Sequence, residues 1–266
     1  MNRTELLELV IKASIEAGEK ILKVYEEPIA VTTKSDDSPL TQADLQSNEV
    51  ITSYLEKTPF PILSEEGKEM PYAERSNWTT NWIVDPLDGT KEFIKKNGEF
   101  TTNIALVTDG LPVLGVIYAP VLDELYFAEE SLGAYKCSGK SFTGQLSDLL
   151  QKAHKLPLEQ SSTKMKVVAS RSHLSEETQA FIDELSQQHN DVETVSKGSS
   201  LKFCIVAEGS AQYYPRFAPT MEWDTAAGQA IVQMSGGTVI DHETGERMRY
   251  NRENLLNNWF LVKGHE

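Results

Sequence analysis

Apolar residues recur at helical spacing from the start of the chain. Leu6, Leu7, Val10, Ile11, Ile15, Leu22 and Tyr25 fall between polar residues, which predicts an amphipathic first helix packed on a core. Its Glu-rich polar face disfavours the alternative, a helix lying on a membrane surface. A second helix is predicted around Val50, Ile51, Tyr54 and Leu55, with Thr41 and Asp44 ahead of it in the spacing of a capping pair. The period then shortens. Residues 61–63, 82–84, 100–107, 114–119, 125–128 and 134–137 are short apolar runs, predicted as successive strands, with Asp109-Gly110 as the hairpin turn between the third and fourth.

Beyond these runs the pattern alternates. A polar stretch, 138–162, marks the best boundary between two halves, 1–140 and 141–266. In the second half strands are predicted at 166–169, Val192–Val195, 212–214, Thr238–Asp241 and 259–262. Helices are predicted at 176–185, 199–207 and 225–234, the last closed by Gly236-Gly237. The expected fold class is α/β, with an α+β N-terminal half and a layered α/β C-terminal half. A cleft between two such halves is a usual place for a site.

Composition narrows the functions on offer. The 266 residues carry a net charge of −15, which argues against binding a nucleic-acid polymer and requires any polyanionic ligand to be met by cations. At 39% hydrophobic and 24% charged, the chain reads as a soluble globular protein. Cys137 and Cys204 make no disulfide or zinc pattern, so a reducing, cytoplasmic setting is expected. No run approaches the roughly 18 apolar residues of a membrane span, and no secretory leader is evident. Peripheral contact with the inner membrane face and the choice between monomer and homodimer stay open. The histidines lack paired metal spacing, and there is no nucleophile elbow, Walker A loop or dinucleotide fingerprint.

One stretch carries chemistry that folding does not demand: Trp82-Ile83-Val84-Asp85-Pro86-Leu87-Asp88-Gly89-Thr90. The apolar run predicts a buried strand, and Pro86, which lacks an N–H, is expected to end it. Two carboxylates three residues apart repel unless a cation lies between them, and hard divalent ions take such oxygens together with backbone carbonyls. Gly89 and Thr90 then open a turn whose N–H groups suit an anion. Metal-assisted phosphate chemistry fits this pattern; a plain turn capped by Asp88 fits it too.

The full wording, Asp-Pro-Leu-Asp-Gly-Thr, resembles the signature of the inositol monophosphatase superfamily of lithium-sensitive, magnesium-dependent phosphatases, and Lys91-Glu92-Phe93 resembles its 3′(2′),5′-bisphosphate nucleotidase branch. The resemblance covers nearly the whole chain and implies the layered αβαβα sugar-phosphatase fold. Further pieces occur in order. Lys34-Ser35-Asp36-Asp37-Ser38-Pro39-Leu40-Thr41-Gln42-Ala43-Asp44 is similar to the loop over the metals, Glu65-Glu66 to the family's Glu-Glu pair, and Trp223-Asp224-Thr225-Ala226-Ala227-Gly228 to its second signature. As plain structure, Asp224 is expected at the N-cap of the helix it precedes.

By that resemblance Glu65, Asp85, the Leu87 carbonyl, Asp88 and Asp224 would hold two Mg²⁺ ions, with Asp36 or Asp37 near a loosely held third. Thr90 would orient the attacking water and Asp44 accept its proton, with Glu65 also in the catalytic set. Glu65, Leu87, Asp88, Gly89, Thr90 and Asp224 would contact the substrate, while Ser199, Ser200, Lys202 and Arg216 would hold the phosphate that is not cut. Ser170-Arg171-Ser172-His173 resembles the same branch without a contact assigned to each side chain. The implied activity is hydrolysis of the 3′-phosphate of adenosine 3′,5′-bisphosphate to AMP, with the sulfated analogue, 3′-phosphoadenylyl sulfate, as a second substrate and a role in sulfur metabolism and nucleotide recycling. Inhibition by lithium and calcium is expected with it. An inositol monophosphatase or other sugar phosphatase is the alternative; a non-catalytic nucleotide-binding protein would need the pocket but not Thr90 and Asp44.

Overall fold

The computed structural model describes residues 1–34, 39–158, 164–169, 175–189 and 191–265; Asp36, Asp37 and the 170–173 stretch lie outside the described residues. Helix α1 (Arg3–Glu26) starts in a reciprocal cap: the Asn2 side chain accepts from Glu5 N–H at 2.9 Å while Glu5 accepts from Asn2 N–H at 2.8 Å. A short hairpin, β1 (Val31–Thr33) with β2 (Pro39–Thr41), leads into α2 (Gln42–Leu55). Then come β3 (Ile62–Ser64), α3 (Tyr72–Arg75), β4 (Thr80–Asp88), α4 (Thr90–Ile94), β5 (Thr101–Thr108), β6 (Leu111–Ala119), β7 (Glu124–Glu129) and β8 (Gly133–Ser138). Asp109 and Gly110 both take positive φ, 51° and 76°, as the tight turn between β5 and β6 requires.

The second half supplies α5 (Leu146–Leu150), β9 (His154–Lys155), β10 (Met165–Val168), α6 (Glu176–Gln188), β11 (Val192–Val195), α7 (Leu201–Ala207), β12 (Tyr213–Arg216), α8 (Glu222–Met234), β13 (Thr238–Asp241) and β14 (Phe260–Lys263). Strand β9 pairs with β8, so chain beyond residue 140 still adds an edge to the first sheet.

Among the described residues the strands form a seven-stranded sheet, β3-β4-β5-β6-β7-β8-β9, and a five-stranded sheet, β11-β10-β12-β14-β13. Side-chain alternation sorts them into layers. Trp82, Val84, Ile104, Leu106 and Val116 face Leu7, Val10, Ile11 and Ile51 of α1 and α2. Ile83, Ala105, Val107 and Ile117 face the other way, onto Phe203 and Cys204 of α7 and Ala227 and Ile231 of α8. Behind those helices stands the second sheet with Tyr214, Phe260 and Val262, and α6 covers its far side through Ile182 and Leu185. The order helix, sheet, helix, sheet, helix is the expected αβαβα layering. Burial on both faces explains why β4, β5 and β6 read as nearly continuous apolar runs. At Gly115 a Cβ would lie 2.6 Å from Ala230 Cβ and 2.8 Å from the Ala227 carbonyl, so α8 rests directly on β6. Among the described residues no helix is long and apolar enough to cross a membrane.

Two local expectations are corrected. Strand β4 does not stop before Pro86 but runs to Asp88, because the register with β5 shifts between Asp85 and Asp88 and the missing N–H falls within that irregularity. On its other side, β3 has already ended at Ser64. Asp224 is not the N-cap of α8. The helix starts three residues earlier than expected, at Glu222, Met221 is the cap, and Asp224 sits at the third helical position with its carboxylate turned back to the Met221 N–H.

Candidate metal and phosphate site

The β4 irregularity turns two carboxylates toward one place. Asp85 is buried, and its Oδ1 accepts from the Leu87 N–H at 3.0 Å. The Leu87 side chain plugs a small apolar cluster with Ile21, Ala43, Phe93 and Phe100, while Ser47 of α2 donates to the Pro86 carbonyl at 2.6 Å. The loop backbone is therefore anchored to α1 and α2. Gly89 follows at φ 93°, and a Cβ there would collide with the Ser199 hydroxyl, so glycine is required for both reasons.

Single oxygens of Asp85, Asp88 and Asp224 lie within 4.8 Å of one another. Asp88 is held from the second half: Ser200 Oγ donates to Asp88 Oδ2 at 2.8 Å, and Ser199 Oγ to the Asp88 carbonyl at 2.8 Å. Asn103 Nδ2 lies 3.4 Å from the same Oδ2 and bonds Ser200 Oγ at 2.9 Å. Asp224 Oδ2 accepts from the Met221 N–H at 2.7 Å, which commits one oxygen to the helix start and leaves the other for the cluster. Burial, then the charges of Glu65, Asp88 and Asp224, push the Asp85 carboxyl well up from the usual carboxylate range. Burial and Asp88 push Asp224 up to about 7. Hard oxygens brought together at the cost of mutual repulsion form the donor set that a divalent cation relieves, so these residues fit magnesium.

Glu65 borders the same cleft, but its Oε1 accepts from Lys34 Nζ at 2.8 Å, and Lys34 also bonds Glu66. Asp44, at the third position of α2, accepts at Oδ2 from Thr41 (N–H at 2.7 Å, Oγ1 at 2.6 Å) and at Oδ1 from Thr90 Oγ1 at 3.2 Å. Burial raises the Asp44 carboxyl, and the hydrogen bonds from Thr41 and Thr90 partly offset that.

The cleft continues past Asp88 into a second pocket lined by Ser199, Ser200, Lys202, Tyr214 and Arg216. Burial pulls Lys202 below the ordinary lysine range; Asp88 opposes this and Arg216 adds to it. Among the described residues Lys202 Nζ donates only to the Ser199 carbonyl, at 3.1 Å, and the buried Nε of Arg216 has no hydrogen-bond partner. Two cations side by side in a −15 chain give this wall the charge that an anion requires.

Of the residues that the sequence assigns to the site, Glu65, Asp85, Leu87, Asp88, Gly89, Thr90, Lys202, Arg216 and Asp224 line this cleft, while Asp44 is buried behind it and reaches it through Thr90. Ser199 and Ser200 line it as well, but their hydroxyls are spent on Asp88 and its neighbours. Asn103 and the Lys34 contact with Glu65 and Glu66 were missed. A hint of Asn103 was present: Thr101-Thr102-Asn103 is a polar triplet opening a strand otherwise predicted as buried.

The arrangement of sheet, carboxylates and threonine is that of a metal-dependent phosphatase, and the chain belongs to the inositol monophosphatase family, whose model matches residues 2–264. Within that family it is similar to the 3′(2′),5′-bisphosphate nucleotidases CysQ of Salmonella typhimurium and Escherichia coli K12. They are 45% and 43% identical over 262 residues, in each case 97% of this chain and 99% of the relative. The crystal structure of CysQ from Bacteroides thetaiotaomicron superposes with a TM-score of 0.91 at 52% identity, covering 99% of this chain and 98% of that one. The extragenic suppressor protein suhB of Bartonella henselae is more distant, at a TM-score of 0.74 and 25% identity over 98% of this chain and 94% of that one.

Proposed function

We propose that this protein hydrolyses the 3′-phosphate of adenosine 3′,5′-bisphosphate, releasing AMP and inorganic phosphate. The CysQ relatives at 43–45% identity over 97% of the chain support the substrate class. The observation that carries it is the adjacency of a three-carboxylate cluster to a pocket holding Lys202 and Arg216, the latter with a buried Nε that has no hydrogen-bond partner among the described residues. A monophosphate has no use for a second cationic wall; a bisphosphate has.

Glu65, Asp85, the Leu87 carbonyl, Asp88 and Asp224 would hold Mg²⁺, two ions in this reading; Asp36 and Asp37, tied by the resemblance to a third, lie outside the described residues. Bound there, magnesium supplies Lewis acidity toward the phosphoryl oxygens and toward water. The chain's own groups do the rest. Gly89 and Thr90 offer the N–H groups at the start of α4 to the 3′-phosphate. Lys202 and Arg216 take the 5′-phosphate and so fix the line along which the 3′-ester is presented. Thr90 Oγ1 orients the attacking water and passes a proton to Asp44 Oδ1, 3.2 Å away, whose raised pKa suits an acceptor. The oxygen of water bonds to phosphorus as the bond to O3′ breaks; O3′ leaves with the bonding pair and takes a proton from solvent water, and Asp44 returns its own proton to solvent. In this scheme the 1–140 half carries the main metal-binding stretch, the 141–266 half carries Asp224 and the nucleotide cations, and Ser199 and Ser200 serve the nucleotide end by steadying Asp88. The sulfated analogue fits the same two pockets. The protein would act in the cytoplasm or on the inner membrane face, as a monomer or homodimer.

Product analysis tests this. With magnesium, adenosine 3′,5′-bisphosphate should yield AMP with its 5′-phosphate intact, at a higher kcat/KM than inositol monophosphate. Adenosine 3′-phosphate as the product, or faster release from inositol monophosphate, would overturn it.

A further inference from the structure

Glu92 stands at the junction of the two pockets. They share Asp88, Gly89, Glu92 and Asp224. Asp88 and Asp224 belong to the carboxylate cluster and Gly89 has no side chain, so Glu92 is the one shared side chain without an assigned task. It lies on α4 two residues after Thr90, half-buried, with Oε2 3.3 Å from the place a Cβ at Gly89 would take. Among the described residues nothing donates a hydrogen bond to its carboxylate or pairs with it, although its charge is felt at Lys202.

A carboxylate at the passage between two phosphate sites repels phosphate oxygens and accepts from a neutral donor. On the sugar of a nucleoside 3′,5′-bisphosphate, O3′ and O5′ are esterified and the ring oxygen has no proton. The 2′-hydroxyl is the sugar's sole donor, and it sits on the carbon next to the ester being cut. With the 3′-phosphate at the carboxylate cluster and the 5′-phosphate at Lys202 and Arg216, the sugar must cross the stretch that Glu92 lines. We infer that Glu92 is a specificity-determining residue that accepts a hydrogen bond from the ribose 2′-hydroxyl and so favours ribonucleoside over 2′-deoxyribonucleoside bisphosphates. This deepens, and rests on, the bisphosphate assignment above.

The test is kcat/KM for wild type, Glu92→Gln and Glu92→Ala on adenosine 3′,5′-bisphosphate and its 2′-deoxy analogue, with melting temperatures to confirm folding. Wild type should prefer the ribonucleotide about tenfold or more, as expected when a hydrogen bond to a charged group is lost. Glu92→Ala should erase the preference by raising KM for the ribonucleotide alone. Glu92→Gln, which keeps an acceptor oxygen, should retain part of it and serves if the alanine variant does not fold. Equal wild-type rates on the two substrates would overturn this inference and leave the bisphosphate assignment standing. So would an equal loss on both in either variant, which would put Glu92 in the chemistry itself. A wild type that cleaves neither would remove both conclusions.

Discussion

Thr90 and Asp44 come from different elements, 46 residues apart, and meet with Oγ1 3.2 Å from Oδ1. The other Asp44 oxygen is held by two donors from Thr41 at the start of α2, so the carboxylate has one committed oxygen and one aimed at the threonine. Asp224 repeats the device at the start of α8, with Oδ2 on the Met221 N–H and its other oxygen free for the cluster. In both, a helix-starting interaction fixes the rotamer of a functional aspartate, which a solvated loop carboxylate would not achieve.

If that pair moves the proton, Thr90→Ala and Asp44→Asn should each lower kcat by about 10²–10⁴, the range of positioned acid–base catalysis. The magnesium-induced rise in melting temperature should survive in both, since neither residue is in the carboxylate cluster. Steady-state kinetics and thermal melts on the same preparations check this. A kcat within a few-fold of wild type would remove the pair from the mechanism.

Metal binding at the cluster should be linked to pH. Asp85 is raised and Asp224 is pushed up to about 7, both above their unfolded values. A carboxyl raised in this way stabilises the fold while protonated, and that contribution is lost as pH rises through the folded pKa. Metal-free protein should therefore gain stability from these groups on moving from above neutral into mildly acidic buffer. The rise in melting temperature on adding magnesium should shrink over the same interval, because protons and cations compete for the same oxygens. A magnesium shift of equal size at both pH values, or none, would contradict this.

Lys202 and Arg216 should matter only to a substrate with a second phosphate. Replacing both by alanine should raise KM for adenosine 3′,5′-bisphosphate by more than about tenfold, since each removes a charge-assisted hydrogen bond. Turnover of a small monophosphate should stay within about twofold. Equal losses on the two substrates would show that the cations support the fold or the chemistry generally.

Much of this was readable along the chain because it is local. Continuous apolar runs located the main strands, a three-to-four period located the long helices, and Asp109-Gly110 marked its hairpin. Asp85, Asp88 and Thr90 are close in sequence, and their chemistry stands out against folding needs. What escaped was non-local or depended on register. That Pro86 falls in a strand irregularity follows from pairing with β5, which no window around residue 86 contains. Ser199 and Ser200 read as donors for a ligand, yet their hydroxyls are taken by Asp88, 111 and 112 residues away. Asn103 reaches Ser200 across 97 residues, and Lys34 reaches Glu65 across 31. The brief strand His154–Lys155 is too short to carry a pattern and is defined by its partner, β8.

The most direct measurement is phosphate release from adenosine 3′,5′-bisphosphate by chelator-treated protein as magnesium is added back, for wild type and Asp88→Ala. Release should be absent without the ion, return saturably with it, and fall by more than about 10² in the variant. Undiminished release after chelation, or in Asp88→Ala, would contradict a carboxylate-held magnesium site as the source of activity.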